Sequence, residues 1–244
     1  MSQVDELVKI LKESNHIVFF GGAGVSTASG IPDFRSASGL YNQHLNRTFS
    51  PEEMVSHSYF ANYPEDFFEF YKAKLVYPDA QPNGCHIALA KLEKMGKVKA
   101  VVTQNIDGLH QKAGSEVVFE LHGSVLRNYC TQCHAFYDEK YVMEADGVPK
   151  CEKCGGIVKP DVVLYEEALN PDEINGAVAA ISKADTLIIG GTSLIVYPAA
   201  GLINYFQGNH LVLINKSATS ADNQADLVIN DDIAKVMTEA VNQM

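Results

Sequence analysis

Six short runs of apolar, largely β-branched residues constrain the fold of this chain more than any other feature: HIVFF (16–20), VKAVVTQ (98–104), VVFEL (117–121), DTLIIGG (185–191), HLVLIN (210–215) and ADLVIN (225–230). Each is nearly continuous rather than alternating, the pattern of strands buried on both faces of a parallel sheet. Helical patterns at 3–13, 84–95, 171–182, 197–206 and 231–243 lie before or between most of them. This alternation predicts an α/β fold on a doubly wound parallel sheet. Two intervals break the rhythm, about 80 residues between the first two runs and about 65 between the third and fourth, too long for structureless loops in a compact domain. The first, 31–83, holds aromatic helical material (YFANYPEDFFEFYKAKL), and the second, 123–164, holds four of the five cysteines. The expected organisation is a sheet domain of residues 1–30, 84–122 and 165–244, with 31–83 and 123–164 folding together into a smaller domain.

With 244 residues, 46% of them hydrophobic, the chain has material for a substantial core. MSQVDELVKILKESNH mixes charges into an amphipathic pattern unlike a signal peptide, and no segment approaches 18 consecutive apolar residues. A cytoplasmic location and no membrane partner are expected. The formal net charge of −11 argues against a nucleic-acid surface and suits cationic partners such as lysine-rich peptides. In a reducing compartment the cysteines point to metal rather than to disulfides.

Cys130-Thr-Gln-Cys133 and Cys151-Glu-Lys-Cys154 enclose 17 residues, the spacing of paired zinc knuckles. Each two-residue spacer turns two thiolates to one side. Four thiolates close a tetrahedral shell and leave no position for water, so the expectation is one structural Zn(2+), with a redox pair or free thiols as the alternatives. Cys85 falls on an amphipathic helix as a core filler.

The stretch GGAGVSTASGIPDFRS (21–36) begins as a dinucleotide turn and then departs from it: Thr27 stands where a third glycine belongs, and Pro32 ends any helix. Small residues from Val25 to Ser29 suit a helix start with free N–H groups for phosphate, although a tight turn without ligand is also compatible. Gly190-Gly191-Thr192-Ser193 follows the fourth strand and Asn215 ends the fifth, so both belong to the crevice at the strand ends where a dinucleotide lies. Thr103-Gln104-Asn105-Ile106-Asp107 and Leu121-His122-Gly123 end the second and third strands. Asn105 and Asp107 are suited to hydrogen-bond a carboxamide or ribose, and His122 to accept a proton near neutral pH; a lone histidine is more often loop-capping or surface, but the G-x-G strand beside His122 and the cysteine segment after it favour the proton-accepting role.

GAGVSTASGIPDFRS, TQNIDGLHQKAG, LHGS, the paired cysteines, KPDVVLYEEAL, GTSLIVYPAA and INKSA follow one another in an order that resembles the sirtuins, NAD-dependent protein lysine deacylases, over nearly the whole chain. YEEAL and INKSAT look most like bacterial members, the more widespread form having Phe-Gly-Glu in place of Tyr165-Glu166-Glu167. The resemblance implies a Rossmann-type domain joined to a small domain made of a helical module and a zinc ribbon, with NAD and an acetyl-lysine peptide or protein meeting between them. It implies an NAD site of Ala23, Thr27, Phe34, Arg35, Gln104, Ile106, Asp107, His122, Thr192, Ser193, Asn215 and Ile233. His122 and Asn105 would be catalytic, and Val162, Val163, Leu164, Tyr165 and Val196 would contact the peptide, which adds as a strand.

The implied reaction starts with attack of the acetyl-lysine carbonyl oxygen on C1′ of the nicotinamide ribose, helped by enforced proximity. Nicotinamide leaves, a ribose hydroxyl deprotonated by His122 attacks the acyl carbon, and water completes the release of free lysine and O-acetyl-ADP-ribose. Phe34 would shield C1′ from water and Arg35 pair with phosphate or hold the loop shut. Family members that prefer succinyl or malonyl groups carry Tyr-x-x-Arg in the helical module. Here Phe70-Tyr71-Lys72-Ala73-Lys74 replaces that arginine by lysine, which lacks the bidentate fork, so acetyl or another neutral acyl group is expected. Protein ADP-ribosylation through the same NAD cleft is the alternative activity, and an NAD-binding module without turnover a third.

Overall fold

The computed structural model describes residues 2–34, 39 and 49–244. The chain runs through α1 (Gln3–Glu13), β1 (Ile17–Gly21), α2 (Pro51–Met54), α3 (His57–Asn62), α4 (Pro64–Lys74), α5 (Gly84–Lys94) and β2 (Val98–Thr103). It continues with α6 (Leu109–Ala113), β3 (Val118–Glu120), β4 (Gly123–Cys130), β5 (Phe136–Asp138), α7 (Glu139–Glu144) and β6 (Val158–Val162). The last part holds α8 (Pro171–Lys183), β7 (Thr186–Gly190), β8 (His210–Ile214), β9 (Leu227–Ile229) and α9 (Ile233–Asn242).

Six of these strands form one parallel sheet in the order β3-β2-β1-β7-β8-β9. Renumbered within the sheet this is 3-2-1-4-5-6, the Rossmann order, with its switch point between β1 and β7. Every strand of this sheet falls on one of the six apolar runs, because a strand covered on both faces needs apolar residues throughout. β1 shows how: Ile17 and Phe19 pack into a layer with α1, α5 and α9, whereas Val18 and Phe20 pack into the opposite layer with Ala177 and Ile181 of α8. α1 is started by a reciprocal cap in which Asp5 N–H donates to Ser2 Oγ and Ser2 N–H donates to the Asp5 carboxylate.

The two long intervals meet in one further hydrophobic cluster. β5-β4-β6 form an antiparallel sheet, and its Val125, Tyr137, Val158 and Val162 pack with Met54, Tyr59, Phe60, Phe67, Phe68 and Tyr71 of the helical segment. Stacked and edge-to-face rings, such as Phe67 with Tyr71 at 5.8 Å and Phe60 with Phe67 at 5.1 Å, add to that burial. Phe34 and Ile106 lean on the same cluster, which carries the influence of the helical segment to the strand ends of the larger sheet.

Two helical expectations are corrected. The stretch 197–206 forms a 3₁₀ helix, Ala199–Tyr205, rather than an α-helix; Gly201 and β-branched Ile203 supply little α-helical propensity. After β1, Val25–Ser29 does not open an α-helix either: Ala23–Val25 and Thr27–Ser29 are 3₁₀ turns ending at Gly30, φ +83°. The Val25 carbonyl that an α-helix would offer to Ser29 instead accepts from Asn83 Nδ2 at 2.8 Å, and Ser29 N–H turns to Ser26 O at 2.9 Å. Among the described residues, no helix is long and apolar enough to cross a membrane.

Candidate active site

At the switch point the turns after β1 and β7 lie backbone to backbone. Gly22 N–H donates to Gly190 O at 3.2 Å and Gly24 N–H to Gly191 O at 2.8 Å. A Cβ on Gly24 would lie 2.8 Å from Gly191 Cα, and Gly191 itself sits at φ +61°. Glycine is therefore required at both positions by close approach and by conformation. The turns make a shallow cradle at the carboxyl ends of the parallel strands, where this fold class holds a dinucleotide.

A chain of polar contacts runs along that edge. His122 Nδ1 lies 3.0 Å from Gln104 O; a carbonyl only accepts, so Nδ1 carries the proton and Nε2 the lone pair. Gln104 Nε2 donates to Thr192 Oγ1 at 3.0 Å. Thr192 and Asn215 then exchange two bonds, Thr192 N–H to Asn215 Oδ1 at 3.0 Å and Asn215 Nδ2 to Thr192 O at 3.1 Å. Burial pushes the His122 pKa below its ordinary value, and the bond to the Gln104 carbonyl opposes that. The imidazole is thus held neutral, in one tautomer, between the two sheets.

A second group sits beside it. Asn105 Nδ2 donates to Ser26 Oγ at 3.1 Å, Ser26 Oγ donates to Asp107 Oδ2 at 2.6 Å, and Leu109 N–H donates to Asp107 Oδ1 at 2.9 Å. Ser26 was not singled out in the sequence; its role depends on the segments after β1 and β2 converging, for which no spacing signal exists. Asn83 is the second omission. It caps α5 through Cys85 N–H and holds the phosphate turn through Val25 O and Ser29 Oγ, and Pro-Asn-Gly before a helix pattern is a legible cap signal. Beneath these residues His86 and His110 meet edge to face, ring centroids 4.7 Å apart. Burial keeps both uncharged at neutral pH, pulling His86 down to about 4.

The remaining candidates fall as follows. Ala23 and Thr27 lie in the 3₁₀ turns, with Thr27 Oγ1 donating to Gly24 O at 3.0 Å. Phe34 and Ile106 are partly buried against the helical cluster. Arg35 lies outside the described residues. Ser193 is exposed beside Thr192. Ile233 begins α9 and is only 5% exposed, packed under Gly190. Val162 and Leu164 are buried, Tyr165 is 39% exposed, and Val163 N–H donates to His122 O at 3.0 Å. Both main-chain groups of Tyr165 are taken by the helical segment, its N–H by Val55 O at 3.0 Å and its carbonyl by His57 N–H at 2.9 Å. Val196, across the crevice, is partly buried.

The Sγ atoms of Cys130, Cys133, Cys151 and Cys154 all lie within 4.8 Å of one another. Cys130 and Cys154 are 3.4 Å apart and Cys133 and Cys151 3.5 Å, close to the edge of roughly 3.8 Å that a tetrahedron of about 2.3 Å zinc–sulfur bonds requires. Cys130 Sγ also accepts from Gln132 N–H at 3.4 Å, and Cys151 Sγ from Tyr137 Oη at 3.2 Å, bonds that soften thiolate charge. The donor set and its geometry fit one structural zinc.

A Sir2 family model matches residues 22–198. The chain belongs to the Sir2 family. A protein from Clostridium perfringens strain 13 named NAD-dependent protein deacetylase is 71% identical over 98% of this chain and 99% of its own. One of the same name from Clostridium acetobutylicum is 61% identical over 99% of both. Among solved structures, Sir2 bound to a p53 peptide and NAD+ is 38% identical, with a TM-score of 0.86 over 100% of this chain and 98% of that one.

Proposed function

We propose that this Sir2-family chain is an NAD-dependent protein deacetylase, which removes acetyl groups from lysine side chains and yields nicotinamide and O-acetyl-ADP-ribose. The observation that carries the proposal is His122, held neutral with its Nε2 lone pair free at the junction of β3 and β4. When bound, NAD supplies a ribose carbon bearing a cationic leaving group, which the acetyl oxygen can displace. The chain's part is to orient, to exclude water and to move one proton. His122 Nε2 takes that proton from a ribose hydroxyl as general base. Asn105, whose Nδ2 is fixed on Ser26, turns its Oδ1 to a water or ribose hydroxyl. Asp107 meets the carboxamide, with Ile106 beside it; Gln104 contacts the nicotinamide ribose.

We place the phosphates and the adenosine ribose along Ala23, Thr27, Thr192, Ser193 and Asn215, with Ile233 under the adenine end. Phe34 covers the reacting carbon. The cofactor and the peptide meet where the segments 1–30, 84–122 and 165–244 face 31–83 and 123–164. Acetyl-lysine would enter past Val162 and Val163, with Leu164, Tyr165 and Val196 flanking the peptide.

The acyl group is neutral, acetyl or longer. Tyr71 is 1% exposed inside the aromatic cluster, and the arginine position of Tyr-x-x-Arg is Lys74, an ammonium without the bidentate fork that would grip a succinyl carboxylate. Mass spectrometry of an acetylated peptide incubated with NAD tests the proposal: O-acetyl-ADP-ribose and free lysine are expected, and an ADP-ribosylated protein or no product would overturn it. A succinylated peptide of the same sequence should react more slowly.

The state of His122 sets a pH dependence. Its neutral form is the active one, and burial lowers its pKa below 6.5, so that form persists further into acid than for an exposed histidine. The acid limb of kcat/KM, measured across roughly pH 5–8, should therefore have its midpoint below 6.5. A midpoint at or above that value would mean that another group, or a charged His122, governs the rate.

A further inference from the structure

The segment 164–167 is a tight turn, closed by Glu167 N–H donating to Leu164 O at 3.0 Å, and its third residue, Glu166, has φ +75°. Turns with a left-handed third residue select glycine, because a Cβ there crowds the backbone. A glutamate persists in such a conformation only where its surroundings hold it. Here they do: Glu166 Oε2 accepts from Ser58 N–H at 2.8 Å and from Ser58 Oγ at 2.6 Å. Ser58 belongs to α3, in the helical segment.

The neighbouring contacts point the same way. Tyr165 exchanges two main-chain bonds with Val55 and His57, and Glu167 Oε1 lies 2.9 Å from His57 Nδ1. The other Glu167 oxygen accepts from Leu164 N–H at 2.9 Å and from Lys159 Nζ at 3.1 Å. Three consecutive residues, 165–167, are thereby joined to Val55, His57 and Ser58. On one side of the joint lie Val162 and Leu164; on the other lie Tyr59 and Phe60, in the cluster against which Phe34 and Ile106 rest.

We propose that Glu166 is a positioning residue for deacetylation: its carboxylate fastens the peptide-contacting segment to the helical segment, so that both walls of the acyl-lysine entrance are set before substrate arrives. The inference rests on the function proposed above. A side chain that is strained in the turn yet bonded twice to another element exchanges local backbone stability for a fixed relation between two parts of the site. Preorganisation of this kind appears in binding, since a peptide that must order its own site loses affinity.

The test uses Glu166→Gly, Ser58→Ala and the double variant in the full chain. Glu166→Gly relieves the left-handed backbone, so Tm stays the same or rises. KM for the acetylated peptide should rise about tenfold in Glu166→Gly, which loses both bonds, and by less in Ser58→Ala, which keeps the main-chain one, with kcat and the KM for NAD each within about twofold of the parent. The double variant should match Glu166→Gly alone, because Ser58→Ala removes only the hydroxyl bond that the glycine variant already lacks. Hydrogen exchange at the His57, Ser58 and Tyr165 amides should quicken in all three. A merely structural role would move Tm and leave the split between KM and kcat untouched. An unchanged peptide KM in a parent that turns over refutes the fastening role, whatever the exchange shows. If the parent makes no O-acetyl-ADP-ribose, the proposed function fails instead, and unchanged exchange in Glu166→Gly then refutes the fastening separately.

Discussion

Replacing His122 with alanine should reduce kcat/KM for an acetylated peptide by about 10²–10⁴-fold, the usual contribution of a positioned general base. The fold should survive. His122 contributes one hydrogen bond, Nδ1–H to Gln104 O, and losing it costs about 1 kcal/mol. Leu121, before it, remains tied to Thr103 O, and Val163 N–H still reaches the main-chain carbonyl at position 122. Gln104 keeps its bond to Thr192, so the proposed NAD-facing edge loses no other partner. Initial rates, NAD titration and a melting curve on one preparation separate the outcomes. Lost turnover with retained NAD binding is the expected result; a variant that turns over at the parental rate would remove His122 from the chemistry.

Stripping zinc should abolish activity by a different route. Apparent binding free energies of structural zinc run to about 10–16 kcal/mol, as large as the whole stability of a typical domain at about 5–15 kcal/mol. The four thiolates stand at the ends of β4–β6, whose buried residues include Cys130 and Cys151 themselves, so without the metal this sheet has little reason to stay closed. β4 begins one residue after His122, and Gly123 pairs with Val162. Opening the sheet therefore releases the proposed base and the acyl-lysine entrance together. A chelator strong enough to remove one zinc per chain should end deacetylation and expose the Tyr137 and Tyr141 rings, now 4.3 Å apart. Zinc content by elemental analysis, near-ultraviolet circular dichroism and turnover should fall together. A zinc-free chain with full activity would show that the cluster is dispensable.

The larger sheet was legible because burial on both faces leaves a strand no polar alternation, and six such runs have few ways to pair. The small sheet was not: β4 reads Gly-Ser-Val-Leu-Arg-Asn-Tyr-Cys and β5 only Phe-Tyr-Asp, too polar and too short to stand out, and held instead by cysteines 18 and 24 residues apart in sequence. The site divided in the same manner. His122, Asn105, Asp107, Thr192 and Asn215 could be named because they end strands. Ser26 could not, since it acquires its place only when β1 and β2 bring Asn105 and Asp107 to either side of it. The attachment of Tyr165 to Val55 and His57 was equally hidden, because about 110 residues lie between the partners and nothing in either segment announces the other.

The position of β1 between β2 and β7 also fixes when the site can first exist. Gly24, near the beginning of the chain, completes its backbone contacts on Gly191, near the end. While the ribosome is still adding residues after β6, one edge of β1 has no neighbour and the cofactor turn has no opposite wall. Apolar strand edges left open in this way invite mispairing and aggregation. The nascent chain therefore carries its base and its metal knuckles well before it can close on a nucleotide, and a translation product that stops short of Thr186 has every residue of the proposed proton-transfer group but nowhere to seat the phosphates.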